Sequence, residues 1–328
     1  MNLVRQLAAA KPDADESAAY VFETRALCKR YGSKTAIDQL DLAVPRGNIH
    51  AIVGANGAGK STLFRILLGF LPPTSGDARI LGRDCAELQA ADRARIGFVN
   101  EEHTLPGWLR VSALVAMRRN EYPRWNERAF DEVIGHYNVL PGQKVGQLSR
   151  GERAGLNLAL NLAQAPELLI LDEPTLGLDV VAKRAFLESL MYSSAAEQCT
   201  VIYCSHQMEE IERVADDLIV LERGRLMSMS PPEEFRARIT RWAADMGFTG
   251  PDPAMIPGLL QMQRLDGLYH YLVLDQDDAF ADYLKANGAR RVQSVPVSLD
   301  TAVNGFLARA HARPADEASL PARAGGAQ

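Results

Sequence analysis

Residues 54–62 read GANGAGKST. The glycines, the lysine and the two hydroxyl residues follow the spacing G-x-x-x-x-G-K-[ST]. What gives that spacing meaning is its surroundings. NIHAIVG before it reads as a short apolar strand. Lys60 to Leu68 after it reads as a helix, with Gly69 as its C-cap. Gly54, Gly57 and Gly59 let the backbone curl until successive N–H groups point inward, a cradle for phosphate oxygens. The helix that follows adds its positive N-terminal end. Lys60 supplies a mobile charge for the outer phosphates, and Ser61 offers a hydroxyl to Mg²⁺, a hard cation that prefers oxygen. Ala55, Asn56, Ala58 and Thr62 complete the loop and are counted with it as nucleotide contacts.

Two further runs point to the same sheet. LLIL at 168–171 and TVIYC at 200–204 are unbroken apolar stretches, the pattern of parallel strands buried on both faces. The first ends in Asp172, Glu173 and Pro174. The second ends in Ser205 and His206. In open α/β sheets ligands bind beyond the carboxyl ends of the strands. Asp172 is there to hold Mg²⁺ through water, and Glu173 to polarise an attacking water. The bland alternatives are an acidic surface loop for the pair and a polar cap for His206. If the second run lies beside the other two strands, His206 comes within reach of a γ-phosphate.

A chain of 328 residues accommodates one large domain and a small one. Its hydrophobic share of 47% and charged share of 23% are those of an ordinary globular protein, and the net charge of −5 argues against nucleic acid as the main partner. No nucleic acid is expected. The four cysteines form no CxxC pair and read as reduced structural thiols. MNLVRQLAAAKPDADESAAY is too short in apolar residues for a signal peptide. No apolar run reaches the 18 or more residues of a membrane span, so another chain has to supply any crossing.

Residues 1–19 read as a flexible lead-in, and 20–240 as one large domain with a helical subdomain at about 101–165. DLIVLERGRLMSMS reads as a hairpin turning at Glu222–Arg225. The Gly- and Pro-rich GFTGPDPAMIPG makes 241–257 a linker. LYHYLVL, DDAFADYLKANGA, RRVQSVPVSL and DTAVNGFLARA then give strand, helix, strand and helix, a small α/β appendage over 258–311. Residues 312–328 read as a disordered tail.

The stretch QLSRGER at 147–153 looks like half of a site whose other half lies elsewhere. In order along the chain stand Tyr31 in KRYG, GANGAGKST, LSRGE at 148–152, LLILDEP, GLD at 177–179 and SHQ at 205–207. Over about residues 20–235 the chain resembles the nucleotide-binding subunit of an ATP-binding cassette (ABC) transporter. The resemblance implies an α/β P-loop NTPase of the ABC type, a mixed-sheet core with a helical subdomain, plus the appendage. It implies that Tyr31 stacks on adenine and that Ser149, Arg150, Gly151 and Glu152 open a helix facing the ATP held by a second copy of the chain. It implies that Asp179 lies at the seam between copies, and that His206 contacts the γ-phosphate and keeps the attacking water aligned. It also implies ATP and Mg²⁺ as ligands and, as partners, a second copy and an integral membrane permease. The place implied is the cytoplasmic face of the plasma membrane, held there through the permease.

Two departures from the family pattern matter. Arg150 and Glu152 stand where the signature Leu-Ser-Gly-Gly-Gln has a Gly and its Gln. Glu101, in IGFVNEE, stands where the family has a Gln that touches Mg²⁺ or a water near it. The segment HTLPGWLRV suits a docking surface for the permease, with Leu105, Trp108 and Leu109 as its apolar residues; packing of Trp108 into its own subdomain is the alternative. The appendage, ending VPVSLDTAVNGFLA, is similar to the tails of ATPase subunits that pair with ABC-2-type export permeases. The rival readings are a soluble single-cassette ABC ATPase working without a permease and a P-loop kinase acting on a metabolite, which leaves LSRGE, GLD and SHQ unexplained.

Overall fold

A computed structural model describes residues 19–197, 199–247 and 250–312. The lead-in at 1–18 and the tail from 313 lie outside the described residues. The first unit runs in the order β1 (Tyr20–Tyr31), β2 (Lys34–Pro45), β3 (Ile49–Val53), α1 (Lys60–Leu67), β4 (Ser75–Ile80), β5 (Arg83–Asp84), α2 (Ala90–Arg93) and β6 (Ile96–Val99). It continues with α3 (Val111–Glu121), α4 (Glu127–Ile134), α5 (Arg150–Ala163), β7 (Leu168–Asp172), α6 (Val180–Glu197), β8 (Thr200–Cys204), α7 (Met208–Val214), β9 (Asp217–Glu222) and β10 (Arg225–Ser230).

Two sheets share this unit. β2-β1-β4-β5 is antiparallel. The six-stranded sheet has the order β10-β9-β3-β8-β7-β6, parallel from β9 to β6 with β10 antiparallel at its edge. All residues of β3 and β8 are buried, as are Leu168–Leu171 of β7, which explains why these runs do not alternate. Leu63, Phe64 and Ile66 of α1 join Val21 and Leu40 of the first sheet to Ile52 and Ile202 of the second in one apolar core. The expected hairpin turns between Glu222 and Arg225.

The span 101–165 holds α3, α4 and α5 and, among the described residues, no strand beyond an isolated bridge from Arg110 to Lys144. α5 is buried from Ala154 to Ala163. Its Asn161 accepts from the Phe98 amide (3.0 Å) and donates to Asn157, so a polar pair ties α5 to β6.

The second unit begins at Glu233, not near 240. It holds most of α8 (Pro232–Ala237), then β11 (Ile239–Met246), β12 (Leu259–Leu265), β13 (Leu268–Leu274), α9 (Ala279–Ala286), β14 (Ala289–Val295) and α10 (Leu299–Ala312). Here the structure corrects the expected linker. Residues 241–246 belong to β11, an inner strand of the sheet β12-β13-β11-β14, paired antiparallel with β13 and β14. The expected linker therefore does not begin at 241, and the appendage gains two strands, β11 and β12, ahead of LYHYLVL. The cause is non-local. Ala243 and Ala244 carry little strand preference, but two neighbours pair with their backbones, and Trp242, Ala244 and Met246 pack with Tyr271 and Phe280. Arg238, just ahead of β11, makes a bidentate pair with Asp275 at 2.8 Å.

Candidate functional site

β3 delivers the chain into 54–59 and α1 leads it away. Gly57 and Gly59 have φ of 84° and 102°, conformations that suit glycine. Gly54 serves differently: a Cβ there would stand 2.3 Å from the Leu221 carbonyl oxygen, so its lack of a side chain allows a close approach to β9. A Cβ on Gly59 would stand 2.5 Å from the Ala36 carbonyl oxygen. The loop is thus wedged between β2 and the β9–β10 turn, whose Gly224 amide donates to Ala58 O at 3.0 Å. Lys60 Nζ donates to Gly54 O at 2.6 Å and reaches Ala55 O at 3.5 Å. A cation whose partners here are its own loop's carbonyls is a cation available to phosphate. Ser61 and Thr62 follow in the first turn of α1.

The sheet order places β8 between β3 and β7, so the phosphate loop, His206 and the Asp172–Glu173 pair emerge from three adjacent strands. His206 Nδ1 and Glu173 Oε2 are 2.7 Å apart. The Glu173 side chain is 18% exposed and that of His206 58%, so the carboxylate lies at the floor and the ring at the rim. Glu173 has φ of 51°, a left-handed conformation uncommon for a non-glycine residue, and its amide is pinned to Cys204 O at 3.0 Å. Burial, then the Asp172 carboxylate, pushes the Cys204 thiol well above its usual range, while Lys60 opposes them. Lys60, Asp172 and Glu173 therefore act on one buried point. Among the described residues no group of three or more His, Cys, Asp or Glu forms a metal cage. Mg²⁺ does not call for one: it is held by one or two carboxylates together with phosphate and water, and the oxygen donors Ser61 and Asp172 fit that mode.

Ser149 caps α5. Its Oγ accepts from the Glu152 amide (3.2 Å) and its own amide donates to Glu152 Oε2 (2.8 Å), a reciprocal capping box. Glu152 in place of Gln is thereby accounted for, since either side chain supplies the acceptor. Arg150 extends from the same turn. It donates to the backbone carbonyl of Glu101 at 3.3 Å, and its guanidinium lies 3.0 Å from where a Cβ on Gly177 would stand. A Cβ on Gly151 would stand 2.8 Å from Ala182 Cβ. Arg150 and Gly151 thus meet the loop after β6 and the start of α6, and none of the phosphate-loop contacts above comes from the LSRGE segment. Asp179 caps α6, accepting from the Ala182 amide at 2.9 Å. Beside it Val180 and Val181 are 81% and 79% exposed. Tyr31 is exposed at the end of β1, with Lys29 Nζ 5.5 Å from its ring centre. The Glu101 side chain is also exposed. Trp108 is 78% exposed, which removes the alternative of packing into its own subdomain.

Sequence reading passed over His103 and Glu210. His103 is fully buried with φ of 48°, and its Nε2–H donates to Pro174 O at 2.8 Å, tying the loop after β6 to the residue following Glu173. Its Nδ1 is buried without a hydrogen-bond partner. Burial above all, then Arg150 and Arg153, lowers its pKa to about 4. Glu210 is 4% exposed and gathers donors from several segments. A His in a turn and a Glu on a helix with charged neighbours give no local signal of burial.

Comparison with known proteins matches this geometry. Residues 37–176 match the ABC transporter family. The daunorubicin resistance ATP-binding protein DrrA3 of Streptomyces coeruleorubidus is 34% identical over 240 residues, 70% of this chain and 75% of that protein. This chain belongs to the ABC transporter ATP-binding proteins. The probable multidrug ABC transporter ATP-binding protein YbhF of Escherichia coli K12 is 33% identical over 74% of this chain, which spans only 41% of that protein's length. Among solved structures, cbiO1 from Clostridium perfringens, part of the ABC transporter complex cbiONQ, is 26% identical with a TM-score of 0.58, covering 67% of this chain and 91% of the other. The ABC cassette fold of the first unit, an α/β P-loop ATPase fold, is thereby established. No described helix of this ABC ATPase is long and apolar enough to cross a membrane.

Proposed function

We propose that this chain is the motor of an ABC exporter. It binds Mg-ATP between two copies of itself and couples hydrolysis to movement of cargo through a separate permease. The observation that carries the reading is the 2.7 Å contact of His206 Nδ1 with Glu173 at strand ends beside the phosphate loop. A carboxylate only accepts, so Nδ1 carries a hydrogen, and Glu173 fixes the orientation of the ring. Nε2, the other ring nitrogen, is left free to face the γ-phosphate. Glu173 keeps its second oxygen to take a proton from the attacking water. Lys60 and the loop amides hold the outer phosphates. Ser61, Asp172 and Glu101 are the residues that would hold Mg²⁺, which when bound would supply charge neutralisation of the phosphates.

Two copies are supported by Ser149 and Gly151, which make none of the phosphate-loop contacts described above and stand at the N-terminus of a 14-residue helix whose positive end suits a partner's γ-phosphate. Val180 and Val181, apolar and exposed beside Asp179, suit burial at the seam. A permease is supported by exposed Trp108 and by an apolar groove lined by Leu68, Phe70, Ile96 and Phe98, with Arg93 at its side. Export is supported by the names of the drug-resistance relatives. Glu173→Gln tests the chemistry: ATP still binds and turnover falls by about 10²–10⁴. Wild-type turnover in that variant overturns the assignment. A mild-detergent pull-down of the same variant with ATP tests the partner: a stoichiometric polytopic membrane protein supports the permease, and a bare dimer returns the chain to the soluble ATPases.

A further inference from the structure

Glu210 lies on α7, outside every motif, and is 4% exposed. Its carboxylate accepts from Thr175 Oγ1 at 2.8 and 2.9 Å, from Tyr203 Oη at 2.6 Å and from Ser205 Oγ at 3.0 Å. Lys183 Nζ stands 3.0 Å from its other oxygen. The side chains of Thr175, Tyr203 and Ser205 are themselves buried. A buried carboxylate demands such partners, so the cluster needs an account. What distinguishes this one is where the partners sit in the chain. Thr175 is two residues beyond Glu173. Ser205 directly precedes His206 and also accepts from the Gln207 amide at 3.1 Å. Tyr203 lies inside β8. Lys183 is four residues beyond Asp179, one turn into α6, where its amide donates to Asp179 O at 2.9 Å and its ammonium also meets the Gln207 side chain. One carboxylate thus ties the segment carrying the general base, the segment carrying the phosphate-facing histidine and the helix that starts at the seam between copies.

We infer that Glu210 is a positioning residue for ATP hydrolysis, holding Glu173, His206 and the Asp179 turn in one register through Thr175, Ser205 and Lys183. This rests on the roles proposed above for Glu173 and His206. The links run from 2.6 to 3.0 Å and converge on one buried carboxyl group. Hydrolysis depends steeply on alignment, and a misplacement of 1 Å costs about 10²-fold in rate. The phosphate loop shares none of these contacts, so loss of the cluster lowers kcat and leaves the KM for ATP near its wild-type value.

The test measures ATP turnover per ATP-binding-competent chain, beside fluorescent-nucleotide affinity and thermal midpoint. Glu210→Gln is expected to bind ATP normally and to lose roughly 10–100-fold in kcat. Since that change can impair folding, Thr175→Val and Ser205→Ala each remove one hydroxyl and are expected to lower kcat by a smaller factor. Thr175→Ser, which returns the hydroxyl, is expected to recover the turnover lost in Thr175→Val; a packing role for Thr175 does not give that recovery. Folded Glu210→Gln and Thr175→Val proteins with wild-type kcat overturn the inference, as does a loss of activity that only follows the folded fraction. Glu173→Gln, run alongside, keeps the two readings apart. Unchanged turnover there overturns the catalytic assignment, while slowed turnover there with wild-type turnover in Glu210→Gln overturns the role of Glu210 alone.

Discussion

The phosphate loop and the LSRGE segment each open a helix, and they are built by opposite means. The loop ahead of α1 is made of backbone. Gly54 and Gly59 have no room for a Cβ against Leu221 and Ala36, and Gly57 needs only its positive φ. The start of α5 is made of side chains: Ser149 and Glu152 cap each other, and Arg150 lies exposed against Gly177. A backbone-built site fixes its sequence, because each substitution collides or strains. A side-chain-built site fixes only donors and acceptors. GANGAGKST accordingly keeps the full family pattern, whereas LSRGE departs at two of five positions without losing its cap.

The sharpest way to break this contrast is to put a side chain where none fits. Gly59→Ala and Lys60→Ala are each expected to weaken nucleotide binding by about 100-fold or more, measured by fluorescent-nucleotide titration, since each removes a charged partner of phosphate or the backbone that presents it. An Ala at 59 with unchanged affinity means that the wedge against Ala36 is not needed. Next comes Ser149→Ala. Affinity of the isolated chain for ATP is expected to hold, turnover to fall by about 10², and the thermal midpoint to drop with a cap worth roughly 1 kcal/mol.

His103, which ties the loop after β6 to Pro174, adds a pH dependence to the stability of this region. Its folded pKa of about 4 lies below the value of about 6.5 expected in the unfolded chain. As pH falls from about 6.5 the unfolded chain takes up a proton that the folded ring refuses until about 4. Stability therefore declines across that window, by about 3 kcal/mol in all, and levels off below it. His103→Gln is expected to flatten this part of the profile in urea melts taken from pH 7 to 4; an unchanged slope assigns the titration elsewhere. The smallest effect is expected from Glu152→Gln, which keeps the capping acceptor and removes a charge at a helix N-terminus, costing about 0.3–1 kcal/mol. On the proposal that this helix faces the phosphates held by a second copy, ATP-dependent self-association is expected to tighten, readable by light scattering.

What was legible in the sequence divides along the same line. Loops that work through backbone announce themselves, because only glycine and a fixed spacing serve; GANGAGKST is sufficient to place a strand before it and a helix after it. Strands buried on both faces, LLIL and TVIYC, are legible because nothing interrupts them. β11 was not, because Arg241, Ala243 and Ala244 look indifferent until β13 and β14 pair with them on either side. Glu210 and His103 were not, because their roles rest on partners 27 to 71 residues away in Lys183, Thr175 and Pro174. A motif records what touches the ligand, and says little about what holds the motif still.

The order of strands also has a consequence for the chain as it is made. β3, which carries the phosphate loop, pairs on one side with β8 and on the other with β9, so His50 meets Ile202 and Asp217. About 170 residues separate the loop from its second neighbour, and a ribosome adding 5–20 residues per second needs roughly 8–35 s to supply it. Through that interval Leu221 and Gly224, which wall in Gly54 and Gly59, do not yet exist as neighbours. The walls of the loop are thus completed late, by the last two strands of the six-stranded sheet to be made.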